Sequence, residues 1–283
     1  MILSVSRGLG ICEDPHVSDP AQIEPADRPD TYLVRMAGMD QSHVDLGDPT
    51  RLLFDYVRRI GDVIDAHGPI GDPLKVLHIG GAALTLARYV ATTRPRSAQV
   101  VLEPDVALID QVRIRLPLPP RSGIKIRPVD GRSGIAAIRD QSQDLVILDA
   151  FADGRMPADL TTSEFFAEVR RVLVPDGRLV ANLVDAAPFR HARRVLAGIR
   201  ETLPEIVVTA EAATLRGRRQ GNLVAVAGHL GGAEVALALE AAAARAGTPY
   251  RVLDGRAVSD TLGGSTPFSD ADAEPGPDPA PAR

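Results

Sequence analysis

The chain has 283 residues, 45% of them apolar, and a formal charge of −5, so it can bury a large core but offers no global attraction to nucleic acid or anionic membrane. A single cysteine, Cys12, excludes an internal disulfide and a multi-cysteine metal site. Met1 to Gly10 lack the apolar stretch of a signal peptide, and no run approaches the roughly eighteen apolar residues of a membrane span, so a cytoplasmic location is expected.

Residues 1–30 hold four prolines and many acids without a sustained period, and are expected to be disordered or loosely attached. Residues 31–68 read as a small N-terminal unit. Tyr32-Leu-Val-Arg35 and Ser42-His-Val-Asp-Leu46 predict a hairpin around Gly38. Leu52, Leu53, Tyr56, Val57, Ile60, Val63 and Ile64 recur at helix spacing between Pro49 and Ala66, behind an Asp48-Pro49 start.

Residues 69–247 then alternate. Strands are predicted at 75–80, 98–103, 124–129, 144–149 and 177–184, with helices at 84–93, 105–115, 132–139, 162–173 and 188–201. Ile206–Ala210 and Leu223–Ala227 flank the polar turn Arg216-Gly-Arg-Arg-Gln-Gly221 and read as an antiparallel edge hairpin. Ala233–Ala246, broken by Glu234, Glu240 and Arg245, reads as a soluble helix. The pattern predicts an α/β fold with a doubly wound, mostly parallel, seven-stranded sheet and a small N-terminal β-hairpin. Residues 248–283 form a C-terminal extension, expected to be disordered from about 263 because Pro, Asp, Gly and Ala dominate it.

Chemistry concentrates at the carboxyl ends of the predicted strands. Val76-Leu-His-Ile-Gly-Gly81 ends an apolar run in a glycine pair, and Val100-Val-Leu-Glu103 ends the next in an acid. Such a βαβ unit can bring its backbone close to a nucleoside at Gly80 and Gly81 and place Glu103 on the ribose hydroxyls; a tight turn with a helix-capping acid is the plain alternative. Asp130-Gly131 follows the third strand and is either a turn or a base contact. Asp149 ends the fourth strand, where a carboxylate can take a proton, hold a cation or brace a loop. Asp153, on the loop that follows, faces either the same cleft or solvent. Tyr56 lies on the apolar face of the first helix, in the core or against a pocket. His78, inside a buried strand, reads as a satisfied core residue. The basic clusters Arg190–Arg194 and Arg216–Arg219 lack interleaved aromatics and read as a solvated helix face and a hairpin tip.

Gln41, the Phe54-Asp-Tyr56 helix start, Ile79-Gly-Gly81, Glu103 with Asp105, Val129-Asp-Gly131, Asp149 and Pro157-Ala-Asp-Leu-Thr-Thr-Ser-Glu-Phe-Phe166 together resemble the spermidine synthase-like family, whose core is the class I S-adenosylmethionine-dependent methyltransferase fold. The resemblance covers about residues 32–228. It implies that Gln41, Gly80, Gly81, Glu103, Asp130 and Gly131 bind an adenosine sulfonium donor, S-adenosylmethionine or its decarboxylated form. It further implies that Tyr56 and Asp153 bind the substrate and that Asp149 is the catalytic carboxylate. The implied activity is aminopropyl transfer to a polyamine-type amine, with a small-molecule amine as partner and no metal, nucleic acid or membrane; a homodimer is left open. Three positions depart from the family pattern. Ala83 stands where its glycine loop carries an Asp, Arg58 where its helix carries a Glu, and Ala152 where its catalytic loop carries a second Asp, unless a one-residue insertion puts Asp153 there. These departures keep two other readings open: a methyltransferase on an unknown acceptor, and a non-catalytic nucleoside-binding protein of this fold.

Overall fold

The computed structural model describes residues 21–280 except Ala37 and Leu230; Cys12 and most of the expected loose N-terminal segment fall outside the described residues. Three strands come first: β1 (Gln22–Pro25), β2 (Thr31–Met36) and β3 (Met39–Asp45), an antiparallel sheet in the order β1-β2-β3. The expected hairpin is there, with Gly38 at its tip (φ +73°), but β1 adds a third strand, so residues from Gln22 onward are not loose. Strand β1 pairs Gln22 with Arg35 and Pro25 with Tyr32, and Ile23 enters the core.

Helix α1 spans Asp55–Ala66 and begins six residues later than Asp48-Pro49 suggests. Short-range side-chain bonds hold the intervening chain out of helix: Asp45 Oδ1 accepts from Asp48 N at 2.8 Å, and Asp48 Oδ1 accepts from Thr50 N at 3.1 Å. The alternation follows as β4 (Lys75–Ile79), α2 (Thr85–Thr93), β5 (Ala98–Leu102), α3 (Val106–Arg115), β6 (Ile124–Arg127), α4 (Gly131–Ala136), β7 (Gln143–Leu148), α5 (Ser163–Val172), β8 (Leu173–Asp185), α6 (Arg190–Thr202), β9 (Glu205–Glu211), α7 (Ala212–Leu215), β10 (Gly221–Gly228), α8 (Gly232–Ala243), β11 (Tyr250–Leu253) and α9 (Gly255–Leu262).

These strands form one sheet in the order β6-β5-β4-β7-β8-β10-β9-β11. Strands β10 and β11 run against the other six. The sheet is doubly wound and mostly parallel as expected, with eight strands among the described residues rather than seven. Strand β11 pairs Tyr250–Leu253 with β9, and β10 lies between β8 and β9, so the β9–β10 pair is interior rather than an edge hairpin. On one face Leu77, Ile79, Leu102, Val146 and Leu148 pack with α5 and α6 through Phe165, Phe166, Val169, Val195 and Ile199. On the other, Val76, Leu145, Ile147 and Val180 meet Val57, Ile60, Val63 and Ile64 of α1 and Leu239 of α8. Burial on both faces is why β4 and β7 read as continuous apolar runs. Among the described residues no helix is long and apolar enough to cross a membrane.

The segment after Gly263 is not the disordered tail its composition suggests. Phe268 is buried at 1% exposure, pairs with Thr162 in a parallel bridge, and carries the Arg194 guanidinium 3.8 Å from its ring centroid. Asp270 meets Arg132 at 2.6 Å, Asp272 meets Arg194, and Arg155 holds the Gly276 carbonyl at 2.6 Å and Asp278 at 2.9 Å. The segment needs no helical or strand period, because one aromatic anchor and a row of carboxylates meet arginines already fixed on α4, α6 and the loop after β7. Arg193 therefore holds the end of α9 through the Thr261 and Gly263 carbonyls, and Arg194 holds the segment beyond it through the Pro267 carbonyl, instead of forming a solvated face.

Truncating a buried Phe costs about 3–5 kcal/mol. Phe268→Ala is therefore expected to lower the melting temperature by several degrees and to open residues 264–280 to limited proteolysis. An unchanged melt with the segment still protected would show that Phe268 does not anchor it.

Candidate functional site

The chain leaves β4 for β5 and β6 on one side of the sheet and returns to β7 on the other. This is a topological switch point, and the crevice outside the strands' carboxyl ends is where open α/β sheets bind ligands. A cavity of about 160 Å³ lies there, against the 10–15 Å³ or so that a single water needs. Its floor is the β4–α2 turn, its sides the ends of β5 and β7, and its roof the N-terminal hairpin through Met36 and Gln41 together with Tyr56 of α1.

The glycine pair is required first by packing. Gly80 has φ +84°, and a Cβ there would sit 2.3 Å from the Asp149 carbonyl oxygen; a Cβ on Gly81 would sit 2.5 Å from Val101 Cγ1. Only glycine lets this turn pass between the ends of β5 and β7. Glu103 Oε2 accepts from Gly81 N at 3.1 Å and Ala82 N at 3.2 Å, and Oε1 accepts from Asp105 N at 3.1 Å. A carboxylate has about four acceptor positions, so Glu103 braces the loop and keeps capacity for a ligand hydroxyl. Asp130 is exposed, and its Oδ1 caps α4 by accepting from Ser133 N at 2.7 Å; that bond holds its carboxyl below the ordinary range. Beside it, a Cβ on Gly131 would sit 2.4 Å from Ile79 Cγ2.

Asp149 sits immediately after β7 and is partly exposed to the cavity. The surrounding protein desolvates it and pushes its carboxyl up to about 6, against the opposing effect of a 2.9 Å hydrogen bond donated by Asn182 Nδ2 to Oδ1. Tyr56 shares the cavity. Burial first, then the Asp149 charge, raise its hydroxyl well above the usual phenol range, so it stays protonated as a donor. Phe54 stacks on the Tyr56 ring, with centroids 6.2 Å apart.

Gln41, Tyr56, Gly80, Gly81, Glu103, Asp130, Gly131 and Asp149 thus line one cavity. Asp153 does not join them. It is exposed and forms, with Gly154, the two central residues of a tight turn at φ +50° and +76°, closed by Ala152 N to Arg155 O at 2.8 Å and Arg155 N to Ala152 O at 2.9 Å. Asp-Gly is favoured in this primed turn for its positive φ angles. The acid that does line the cavity is Asp159, in a 3₁₀ turn over Ala158–Leu160. Two asparagines, Asn182 and Asn222, are functional candidates that pattern reasoning missed; their signal is a lone amide in or beside an apolar strand, as in Leu179-Val-Ala-Asn-Leu183. The departures are real in space. Ala83 is fully buried with Val34, Val44 and Leu108, leaving no room for a carboxylate, and Arg58 is exposed and paired with Asp55, lining a separate cavity. His78 is the satisfied core residue expected: its Nε2 lies 2.8 Å from Gln99 Oε1, and burial depresses its pKa to about 4.

No family model matches the chain. A polyamine aminopropyltransferase from Chromobacterium violaceum is 31% identical over 137 residues, 48% of this chain and 51% of that protein; the chain thus spans about half the length of this curated relative. The crystal structure of a probable spermidine synthase from Corynebacterium glutamicum is 32% identical, with a TM-score of 0.82 over 90% of this chain and 94% of that one. Human methyltransferase-like protein 13, solved with SAH, shares the fold alone, at 18% identity and a TM-score of 0.54 over 67% of this chain and 90% of that one.

The Asp149 pKa carries a stability consequence. Its folded value, about 6, lies above the ordinary 3.8. The group therefore favours folding while protonated, below about pH 4, and that contribution is lost as pH rises through 6. Asp149→Asn is expected to be more stable than the wild type at pH 7–8, by about 1–3 kcal/mol, with the difference vanishing below pH 4. A variant less stable at pH 8, or a difference independent of pH, would contradict the desolvated carboxylate.

Proposed function

The chain belongs to the spermidine synthase-like family, and we propose that it is an aminopropyltransferase that takes decarboxylated S-adenosylmethionine as donor and a small polyamine-type amine as acceptor. The observation that carries this reading is the position of Asp149. A carboxylate with a pKa near 6 stands in the same cavity as the glycine turn and Glu103, where it is ionised and basic at neutral pH. In the proposed reaction the acceptor nitrogen attacks the aminopropyl carbon bonded to the sulfonium. The C–N bond forms, the C–S bond breaks with its electron pair going to sulfur, methylthioadenosine leaves, and the nitrogen's proton passes to Asp149.

Each wall has a part in this proposal. The backbone of Gly80 and Gly81 admits the nucleoside, Glu103 takes a ribose hydroxyl, and the second oxygen of Asp130 with the Gly131 backbone meets the adenine edge. Tyr56, held neutral, and Gln41 orient the donor chain and the amine under the hairpin. Asp159 supplies a second carboxylate for a cationic acceptor, in the role Asp153 is too far round the turn to fill. The thioether is a good leaving group, so the site acts by alignment and exclusion of water rather than by acid catalysis.

Ala83 keeps a second reading open without deciding it. An apolar methyl in place of a carboxylate weakens the grip on the decarboxylated donor's amine, but supplies no site for the methionine carboxylate that S-adenosylmethionine and methyl transfer would need. The same cavity with neither transfer would be a nucleoside-binding site only.

Incubation with decarboxylated S-adenosylmethionine and putrescine, read by mass spectrometry, is expected to yield methylthioadenosine and an aminopropylated amine. Asp149→Asn is expected to lower turnover by about 10²–10⁴-fold while thioether binding changes little. Methylation with S-adenosylmethionine and no product from the decarboxylated donor would establish the second reading; inertness with both donors would leave binding alone.

A further inference from the structure

Asn182 is 1% exposed and stands among the apolar residues of β8. Its amide is not free to turn. Nδ2 donates to Asp149 Oδ1 at 2.9 Å, and Oδ1 accepts from Asn222 Nδ2 at 3.0 Å, so a flip would break both bonds and set donor against donor. Arg59 meets β10 at the same residue, through its main chain: the Asn222 backbone carbonyl accepts from both terminal nitrogens of Arg59 at 3.3 Å, while the Asn222 side-chain amide donates to Asn182. Arg59 is a buried cation that also donates to the Thr209 carbonyl at 2.8 Å and has no carboxylate partner among the described residues. A line of oriented hydrogen bonds therefore runs from α1 across β10 and β8 to the end of β7. Helix α1 places Arg59 at one end of this line and Tyr56 against the other.

We propose that Asn182, oriented by Asn222, is a positioning residue that pins Oδ1 of Asp149, leaves Oδ2 as the oxygen that receives the proton, and sets how tightly that proton is held. The proposal rests on the reading of Asp149 as proton acceptor. One oxygen satisfied by a neutral donor stabilises the carboxylate without neutralising it. The other faces a cavity whose titratable groups are Tyr56 on α1, His78 on β4, Glu103, Asp130 and Asp159. Among the described residues no cation lines it, so no ion pair there holds the Asp149 proton affinity down. Loss of the Asn182 donor leaves burial unopposed and makes Asp149 a base that is largely protonated, and thus spent, at neutral pH.

Asp149 can be titrated without any turnover. Protein labelled with ¹³C at the aspartate carboxyls gives a set of titrating resonances, and the one absent from Asp149→Asn belongs to Asp149. In the wild type its midpoint is expected at about 6. Asn182→Ala should raise the midpoint by about one to two pH units, a ten- to hundredfold tighter proton, and Asn222→Ala should raise it less, in the same direction. The acid limb of the kcat/KM profile should move with it. A midpoint in Asn182→Ala within about 0.3 of the wild type overturns the proposal, and Asn222→Ala repeats the test should Asn182→Ala fail to fold. A midpoint shifted in Asn182→Ala, with a wild type inert toward both donors, supports the Asn182 arrangement while removing the aminopropyl reading, so the two failures are distinguishable.

Discussion

Taking a carboxylate out of water disfavours its charge, and Asp149 is held where that cost is useful. Among the described residues it is desolvated by the strand ends around it, relieved by a single amide donor, and left with no arginine or lysine to pin it as a permanent anion. Burial pushes its pKa up toward neutrality and Asn182 stops the rise. The surrounding structure follows from these two requirements. A continuous apolar sheet supplies the desolvation. A polar thread of Arg59, Asn222 and Asn182 crosses that same sheet with nearly every buried group paired; of Arg59, only Nε lacks a partner.

The glycine turn shows why ligand binding and packing are hard to separate here. Gly80 and Gly81 leave the backbone open toward the cavity, yet the nearest obstacles to a side chain are the protein's own Asp149 carbonyl and Val101. Glu103 likewise braces the loop before it can meet any ribose. Both roles would use the same atoms, so a binding turn here has first to be a tight turn. The C-terminal segment adds a further constraint. Through Gly276, Asp278 and Arg155 it holds the loop whose other side, Phe151 and Ala152, lines the cavity.

The sheet was legible because β4 to β8 are apolar runs set between helix-periodic stretches, and β9 and β10 are apolar runs flanking a polar turn. Strand β11, Tyr-Arg-Val-Leu, is too short and mixed to stand out, and it exists because β9 offers an unpaired edge. Residues 264–280 were misread because composition reports the absence of a periodic face, whereas Phe268 and three aspartates bind to particular arginines distant in sequence. In the site, residues at strand ends were legible by position: Gly80, Glu103, Asp130 and Asp149 all fall where a βαβ unit places them. Asp153 was not, because only the turn geometry decides which loop acid faces inward. Asn182 and Asn222 lie 40 residues apart and become a pair only through the insertion of β10 beside β8.

A crystal structure with methylthioadenosine tests whether one crevice holds a nucleoside thioether with its sulfur toward Asp149. A ribose hydroxyl is expected on Glu103, adenine beside Asp130 and Gly131, and the sulfur in the part of the cavity shared by Tyr56 and the free oxygen of Asp149. A ligand bound elsewhere, or none bound at millimolar concentration, would contradict this placement.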